Sequence, residues 1–443
     1  MRRGWIATGI WAAALASPRA ARASDPDLFG WGAASVAQAG AGAATATDFS
    51  ATFLNPAGLA FGARSTAHLG GTLLASGLGV RGERQDIPDS WGITAGLAVV
   101  PRGDTWVARH LAAGVGIYAL PDAVIHITTG FPADPAFPYY GNRTQRAVVL
   151  PAVALRITDT LSVGVAANVF AGLSGPAAAR DGPARAVDAT ISEAIRARAS
   201  LVAGVRFDPW PGWSLALVYR QRFEVPYQVS TRNTVGGIPL DITVDAAGLF
   251  TPDELVLGAA WRGARWGLTA DVRYARWSDW GGPFVNVQAT LTGLALTAAP
   301  ASPGFRDTVS VRAGGRWRTP YAPGRSVELR AGAGYEPTIV GDQTGRTNLI
   351  DNDRWIFAAG AAVDLPPVWG VALHLGVGAQ VHWMADRTYT KRVGSPVDAA
   401  RDPSVLADED ASLAGTQTRN PGYPSITGGG AVWTFALGLE VDL

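Results

Sequence analysis

Cysteine is absent from the 443 residues of this sequence, and lysine occurs once, as Lys391. The missing thiols exclude disulfide scaffolds, cysteine nucleophiles, iron–sulfur clusters and cysteine-based zinc sites. Charged residues make up only 16% of the chain, compared with about 25% in ordinary soluble domains. The formal net charge is +1, so we expect no nucleic-acid partner. The chain is 48% hydrophobic, which also excludes general disorder.

Long apolar runs are missing as well. Beyond the first 23 residues, no segment reaches the roughly 18 uninterrupted apolar residues of a membrane-spanning helix. At the N-terminus, Arg2 and Arg3 precede a short apolar stretch, 4–16, and Ala-Arg-Ala follows at 21–23. This order is typical of a secretory signal peptide covering residues 1–23. An anchor helix is the alternative, but this stretch is too short to cross about 30 Å of hydrocarbon.

The last residues alternate strictly between two faces. Large apolar side chains occupy every second position from Trp433 to Leu443, and small or charged residues such as Glu440 fill the positions between. A period of two indicates a strand with one apolar and one polar face. This strand is longer than the five or six residues common in soluble proteins and close to the roughly ten of a membrane barrel.

The same alternation recurs along the chain. It predicts about fourteen strands, at 63–80, 90–100, 110–120, 143–157, 161–171, 199–208, 213–224, 253–262, 266–277, 307–318, 325–336, 354–364, 369–384 and 431–443. Short turns at 158–160, 209–212, 263–265, 319–324 and 365–368 alternate with the long loops 121–142, 172–198, 225–252, 278–306 and 385–430. In one of these loops, 177–180 and 191–199 are predicted to be short helices. Alternating turn lengths are typical of a barrel with periplasmic turns and extracellular loops.

Tryptophan positions favour the same fold. Trp210, Trp213, Trp261 and Trp266 flank short turns, and Trp91, Trp277, Trp280, Trp355, Trp383 and Trp433 lie at the opposite strand ends. Two aromatic rows are typical of the two membrane interfaces. We therefore predict an all-β fold, a transmembrane antiparallel β-barrel of about 14 strands over residues 63–443. Its location would be the outer membrane of a Gram-negative-type bacterium.

Residues 24–62, before the first predicted strand, have a different composition. Residues 30–46 are almost all small, and the apolar Phe49, Phe53 and Leu54 follow, next to Asn55-Pro56-Ala57. A barrel of this size has a lumen wide enough to need filling. We predict that this segment is an N-terminal hatch that plugs the lumen; the alternative is a segment hanging in the periplasm.

Several stretches together resemble the FadL-type family of long-chain fatty acid and aromatic hydrocarbon transporters. They are 32–42, 55–59, 114–121, 271–278, 329–337 and 351–354. The resemblance implies a fourteen-stranded barrel with a hatch. It also implies capture of a hydrophobic ligand in extracellular loops, hatch rearrangement, and lateral exit at a kink in the third strand. Transport would be passive, with no cofactor, no metal and no energy-coupling protein.

The resemblance also suggests site residues. Asn55, Pro56 and Ala57 would face the kinked strand, in which Gly114 and Gly116 could break regular pairing. Phe49, Phe53 and Leu54 are candidates for the wall of the ligand pocket, or else for ordinary packing within the hatch. Lumen-facing arginines such as Arg312, Arg316 and Arg330 are expected to form structural charge networks.

Other functions fit the sequence less well. A catalytic centre would need a histidine beside a nucleophile or metal, and His374 and His382 lie about 27 Å apart along one strand. We therefore expect no enzyme. A general diffusion porin is the nearer alternative, and an adhesin is another. The expected partners are a fatty acid or an aromatic hydrocarbon, which the residues do not distinguish, and outer-membrane lipid, with the protein acting as a monomer.

Overall fold

The computed structural model describes residues 26–85, 90–119, 132–141, 147–174, 177–181, 187–191, 194–235, 238–291, 294–298, 303–402, 404–407 and 420–443. The predicted signal peptide lies outside these residues. Within them, no helix is both long enough and apolar enough to cross a membrane.

Fourteen antiparallel strands form one closed sheet. In chain order they are β1 Thr66–Val80, β2 Ser90–Val99, β3 Leu111–Ala119, β4 Val148–Arg156, β5 Leu161–Ser174, β6 Ala194–Phe207, β7 Trp213–Arg220, β8 Glu254–Arg262, β9 Trp266–Ala275, β10 Thr308–Ala322, β11 Arg325–Glu336, β12 Arg354–Val368, β13 Val371–Thr390 and β14 Ser425–Asp442. Each strand pairs with its sequence neighbours, and β1 pairs with β14 to close the barrel. The predicted fold is confirmed, although β6 and β14 begin earlier than predicted.

Alternation places one face of each strand outside the barrel and the other inside. In β9, Leu268 and Val272 are exposed on the outer face, whereas Asp271 and Arg273 are buried on the inner face. Exposed leucine and valine side chains repeat on the outer face of strand after strand, as with Leu217 of β7. We call this surface the apolar band. It would be unfavourable in water and matches a hydrocarbon environment.

The barrel has two different ends. Turns of a few residues join β4 to β5, β6 to β7, β8 to β9, β10 to β11 and β12 to β13 at what we call the short-turn end. The other, long-loop end carries a small four-stranded sheet of Phe223–Val235, Ile238–Thr251, Val285–Leu291 and Leu294–Ala298. It also carries the pairs Ala177–Asp181 with Val187–Ile191 and Val393–Gly394 with Leu406–Ala407. Glu83–Arg84 extends β1 there.

The two helices predicted within loop 172–198 are wrong. Residues 177–181 pair with 187–191, and residues 194–199 belong to β6. Alanine-rich segments have helical propensity, but pairing with an adjacent strand outweighs this weak preference.

Helices are few and short. In the described residues they are α1 Pro26–Phe29, α2 Gly32–Val36, α3 Ala51–Leu54, α4 Trp106–His110, α5 Pro138–Gly141 and α6 Pro396–Arg401, with 3₁₀ helices at Pro56–Phe61 and Trp277–Asp279. The first three and the first 3₁₀ helix all precede β1.

Exposed tryptophans lie at both ends of the strands. Trp91, Trp355, Trp383 and Trp433 are exposed toward the long-loop end, and Trp210, Trp213, Trp261, Trp266 and Trp369 toward the short-turn end. The prediction is wrong for Trp277 and Trp280, which are buried among the loops. They follow β9 directly, so sequence position alone does not separate them from interfacial residues.

Candidate functional site: the barrel lumen

The segment before β1 lies inside the barrel. Most of residues 28–61 are buried, and small residues of this segment contact small residues of the wall. A Cβ added at Gly332 of β11 would overlap the backbone of Gln38 and Ala39, and one at Gly378 of β13 would overlap the backbone of Ala33. Backbone therefore approaches backbone closely here. We call residues 26–62 the hatch.

Charged side chains of the wall bind the hatch backbone. Asp271 of β9 accepts hydrogen bonds from the N–H groups of Gly42 and Ala43 at 2.8 and 3.1 Å. Arg312 of β10 donates to the carbonyl of Ala39 at 3.1 Å and reaches that of Leu28 at 3.5 Å. The hatch backbone is thus held by side chains in place of regular secondary structure.

These groups belong to a larger buried set, which we call the charge belt. It consists of Arg220, Glu254, Asp271, Arg273, Arg312, Glu336, Asp351 and Arg354. Its ion pairs are Arg220–Glu254 at 3.1 Å, Arg273–Glu254 at 3.7 Å, Arg312–Glu336 at 3.3 Å, Arg354–Asp351 at 2.5 Å and Arg354–Glu336 at 3.9 Å. Four arginines therefore pair with three acids, and the fourth acid, Asp271, binds the hatch N–H groups. Arg316 and Arg330, nearer the short-turn end, both pair with Glu328.

The opposite part of the lumen is apolar. Hatch residues pack in one cluster with the inner faces of β2 to β8. From the hatch the cluster includes Trp31, Ala43, Ala44, Phe49, Ala51, Phe53, Leu54, Leu59 and Ala60. From the wall it includes Ala98, Ala112, Tyr118, Val148, Leu150, Ala152, Ala154, Ala166, Val202, Ala216, Val218, Val256 and Ala260. The lumen is thus divided into an apolar half and a charged half.

Phe49, Phe53 and Leu54 all lie in the apolar cluster. The Phe49 ring stacks on His68 of β1 with 4.0 Å between ring centroids. The Phe53 ring stacks on Trp31 at 5.9 Å and lies under the Arg220 guanidinium at 4.4 Å. Phe53 is therefore positioned where the apolar half meets the charge belt.

The turn Asn55-Pro56-Ala57 does not face β3. The Asn55 amide is fully buried and donates to the carbonyls of Ala43 at 2.9 Å and Val205 of β6 at 3.2 Å. Ser162 of β5 donates to the Ala57 carbonyl at 2.8 Å. The expectation that this turn faces the third strand is therefore corrected: it lies against β5 and β6, where Gly164 and Gly204 leave room for it.

The expected break in β3 is also not found. β3 pairs continuously with β2 and with β4 through Gly114 and Gly116. A Cβ at Gly116 would come within 2.6 Å of the Trp31 ring, and one at Gly114 within 3.1 Å of Leu59 and Thr52. The two glycines therefore make room for the hatch, without interrupting the ladder.

Aromatic residues pack together at the long-loop end. They are not among the functional residues predicted from the sequence. Tyr139 in α5 lies 3.5 Å from the Arg354 guanidinium and donates to Glu336 at 2.7 Å. The neighbouring Tyr140 is hydrogen-bonded to His382 at 3.1 Å, and burial raises the pKa of Tyr140. Its phenol therefore stays neutral. In the sequence, the feature that could have indicated this site is the pair of adjacent tyrosines in a predicted loop.

A second aromatic group lies beside them. Trp280 stacks between Phe250 at 5.5 Å and Phe305 at 4.4 Å, with both ring planes nearly parallel to its own. Ring stacking of this kind stabilises an apolar surface within polar loops. We call these three residues the aromatic stack.

The short-turn end has a different chemistry. Between the hatch and this end lies a cavity of about 390 Å³. Its lining includes the titratable side chains of Asp48, Arg330, Asp364, His374, Glu440 and Asp442. His374 contacts Asp364 at 2.7 Å and Asp442 at 3.2 Å. This region suits water and ions better than an apolar molecule.

The sequence model of the outer membrane protein transport protein family (OMPP1/FadL/TodX) matches residues 12–393. The chain belongs to this family. This is a family of outer-membrane transport proteins.

Individual relatives are distant. The chain is 24% identical over 207 residues to alkane uptake protein A of Marinobacter nauticus, which covers 45% of this chain and 43% of the relative. The chain thus spans less than half of this curated relative.

Solved structures share the fold. A FadL homologue of Pseudomonas aeruginosa gives a TM-score of 0.59 with 14% identity, covering 93% of this chain and 98% of that chain. The toluene transporter TodX of P. putida gives 0.55 with 14% identity, covering 94% and 99%. At this identity, the likeness concerns the fold alone.

Proposed function

We propose that the protein takes up hydrophobic molecules passively across the outer membrane. The loops at the long-loop end would capture the molecule, beginning at the aromatic stack. The hatch would then rearrange, and the molecule would pass along the apolar half of the lumen and leave sideways through the barrel wall. The protein would act as a monomer, because each barrel holds its own hatch.

The observation that carries the proposal is the division of the lumen into two halves. Phe53, Leu54 and Leu59 of the hatch meet a wall of alanine, valine and leucine side chains on β2 to β8. Transfer of each CH₂ group into water costs about 0.8 kcal/mol. A sixteen-carbon chain would therefore face roughly 12 kcal/mol in a water-filled pore. A path between two apolar surfaces avoids most of this free energy.

Lateral exit is supported by the chemistry of the short-turn end. A molecule that continued along the barrel axis would enter the cavity lined by Asp48, Asp364, Glu440 and Asp442. This cavity offers charged groups and no continuous apolar wall. The exposed apolar band on the outside is the favourable destination, and membrane lipid would accept the molecule there.

The charge belt indicates which hydrophobic molecules fit best. Its four arginines pair with Glu254, Glu336 or Asp351, and Arg312 also binds the hatch carbonyl of Ala39. Binding a carboxylate would require breaking such a buried pair, which is strongly unfavourable. We therefore propose uncharged hydrocarbons as the preferred ligands over fatty acids. The names of two relatives, an alkane uptake protein and a toluene transporter, fit this class.

A general diffusion porin is less consistent with the buried hatch, because residues 28–61 occupy the lumen that a porin leaves open.

Uptake by cells tests the ligand class. Cells without hydrocarbon or fatty acid transporters of their own would express the chain and receive labelled hexadecane, toluene or oleate at equal concentration. We expect the two hydrocarbons to enter faster than in cells with an empty vector, and oleate to gain little. Oleate uptake equal to or above that of hexadecane would overturn the preference for uncharged ligands.

A further inference from the structure

One seam of the barrel wall lacks pairs in the middle of its span. β4 pairs with β5 on both sides of a gap, but residues 150–151 of β4 are not paired with residues 167–168 of β5. Residue 151 is proline, which has no N–H to donate to the carbonyl opposite, that of Ala167. The ladder between β4 and β5 is therefore weakened at Pro151.

Neighbouring seams have no such gap. β3 pairs without a break with β2 and β4, and β5 does so with β6. The register shifts of other barrel seams lie beside turns in β10 and β12, or toward the long-loop end of β13. Among the described strands, the gap at Pro151 is thus the one that falls within the apolar band.

An apolar groove lies on the outer surface over this gap. Its volume is about 670 Å³, and its lining includes Ala113, Gly114, Pro151, Ala152, Ala166 and Ala167. These side chains are small, and the rest of the lining consists of Ala199, Ser200 and the larger Val153, Val165 and Leu201. The groove is large enough for a hydrocarbon and opens toward lipid.

The inner side of the same place is apolar as well. Ala152 and Ala166, which line the outer groove, also belong to the inner cluster with Phe53, Leu54 and Leu59. The wall at Ala152 and Ala166 therefore presents small apolar side chains to the hatch. The buried side-chain oxygen of Asn168, at the edge of the gap, has no hydrogen-bond partner in the described structure. That oxygen adds no bond that would hold the seam closed.

The hatch contacts β5 nearer the short-turn end, at Ser162 and Gly164. Asn55-Pro56-Ala57 is hydrogen-bonded to Ser162 of β5 and Val205 of β6. Movement of this turn would therefore act on β5 and β6. β5 is one of the two strands that border the gap.

We propose that the transported molecule leaves the barrel between β4 and β5, at Pro151 and Ala167, and enters the membrane through the outer groove. This inference rests on the proposed uptake function and specifies its exit. The gap would widen when the hatch moves away from β5, because the missing hydrogen bond already lowers the resistance of this seam to separation.

Disulfide locks test the position of the exit. The chain has no native cysteine, and directly opposite residues of antiparallel strands lie about 4.5–5.5 Å apart between Cα atoms, within the range of a disulfide. Pro151→Cys with Ala167→Cys would lock the proposed exit. Leu97→Cys with Val115→Cys would lock β2 to β3, and Leu217→Cys with Leu257→Cys would lock β7 to β8 as a control.

Uptake of labelled hexadecane would be measured before and after reduction, with thiol labelling to verify each disulfide. The proposal predicts that the oxidised Pro151–Ala167 lock reduces uptake to that of cells without the protein, and that reduction restores it. The other two locks should leave uptake unchanged in both states. A Pro151→Val variant, which supplies the missing N–H without a disulfide, should also lower uptake.

Three results would overturn the proposal. Uptake blocked by the β2–β3 lock and retained by the Pro151–Ala167 lock would place the exit at β3. Normal uptake with every lock and with Pro151→Val would place it elsewhere, while the proposed function stands. If the unsubstituted chain takes up no hydrocarbon, the proposed function itself fails.

Discussion

Asn55 shows how a single side chain can hold a segment that lacks regular structure. Its amide bridges the carbonyls of Ala43 and Val205, and its oxygen accepts from the N–H of Ala57 at 3.2 Å. From the sequence, Asn-Pro predicts only a turn. The contact with β6 could not be predicted, because it joins residues 150 positions apart through the closure of the barrel.

Replacing Asn55 with alanine should loosen the hatch and leave the barrel folded. The buried carbonyl of Ala43 would lose its donor, at about 1–3 kcal/mol for an unsatisfied group, and the bond to the part-buried carbonyl of Val205 would also be lost. Hydrogen–deuterium exchange of residues 40–60 should become faster in this variant. Thr45→Ala is the control, since Thr45 makes only a weak local bond to Gly42 at 3.4 Å. If residues 40–60 exchanged at the same rate in both variants, the role of Asn55 would be contradicted.

Lys391 gives a prediction about pH. Its ammonium group is buried in the loops and donates to the carbonyls of Gln343 and Thr347 at 2.8 Å. Burial lowers the pKa of Lys391 from 10.5 to about 8. Between these values the unfolded chain binds more protons than the native protein. The native loops therefore gain stability as the pH rises from about 8 to about 10.5.

The titration of this lysine can be observed directly by ¹³C NMR of its ε-carbon, because Lys391 is the only lysine. We expect a midpoint near 8 in the native protein and near 10.5 after denaturation. A native midpoint close to that of the denatured chain would mean that the side chain is solvated.

At the scale of elements, the strands were predictable and the irregular segments were not. A strand such as β9 follows from its own alternation, because lipid outside and hatch inside impose opposite chemistry on successive residues. The positions of Trp277, Trp280 and Asn55 depend on contacts between distant parts of the chain. The regular pairing of Gly114 and Gly116 likewise could not be inferred from glycine content alone.

Packing of the hatch against the wall predicts different effects for two strand glycines. Gly332→Ala on β11 would drive a Cβ into the backbone of Gln38 and Ala39. A Cβ at Gly315 on β10 would make ordinary van der Waals contacts, with the Leu268 side chain at 3.5 Å and the Gly267 carbonyl at 3.8 Å. Overpacking of this kind costs about 1–3 kcal/mol. Hydrogen–deuterium exchange of the backbone amides of residues 32–46 should therefore become faster in Gly332→Ala and not in Gly315→Ala. The same exchange rates in both would show that the hatch does not press on β11.

At the scale of the whole molecule, the barrel and the hatch have separate roles in the proposed function. The fourteen-strand ring is closed by β1 pairing with β14 and does not depend on hatch hydrogen bonds for its ladder. Removing residues 26–62 should therefore leave a folded barrel with an open, charge-lined lumen. Its ion conductance in planar bilayers should rise far above that of the full chain. Equal conductance of both proteins would contradict a hatch that closes the lumen.

The central claim is that this barrel passes apolar molecules and excludes hydrophilic ones. The most direct measurement compares the initial uptake rates of labelled toluene and labelled sucrose by cells that express the intact chain, each relative to cells with an empty vector. We expect faster entry of toluene and no change for sucrose, because the hatch fills the lumen and the apolar half leads to lipid. Faster entry of sucrose, or no gain for toluene from a barrel folded in the outer membrane, would contradict it.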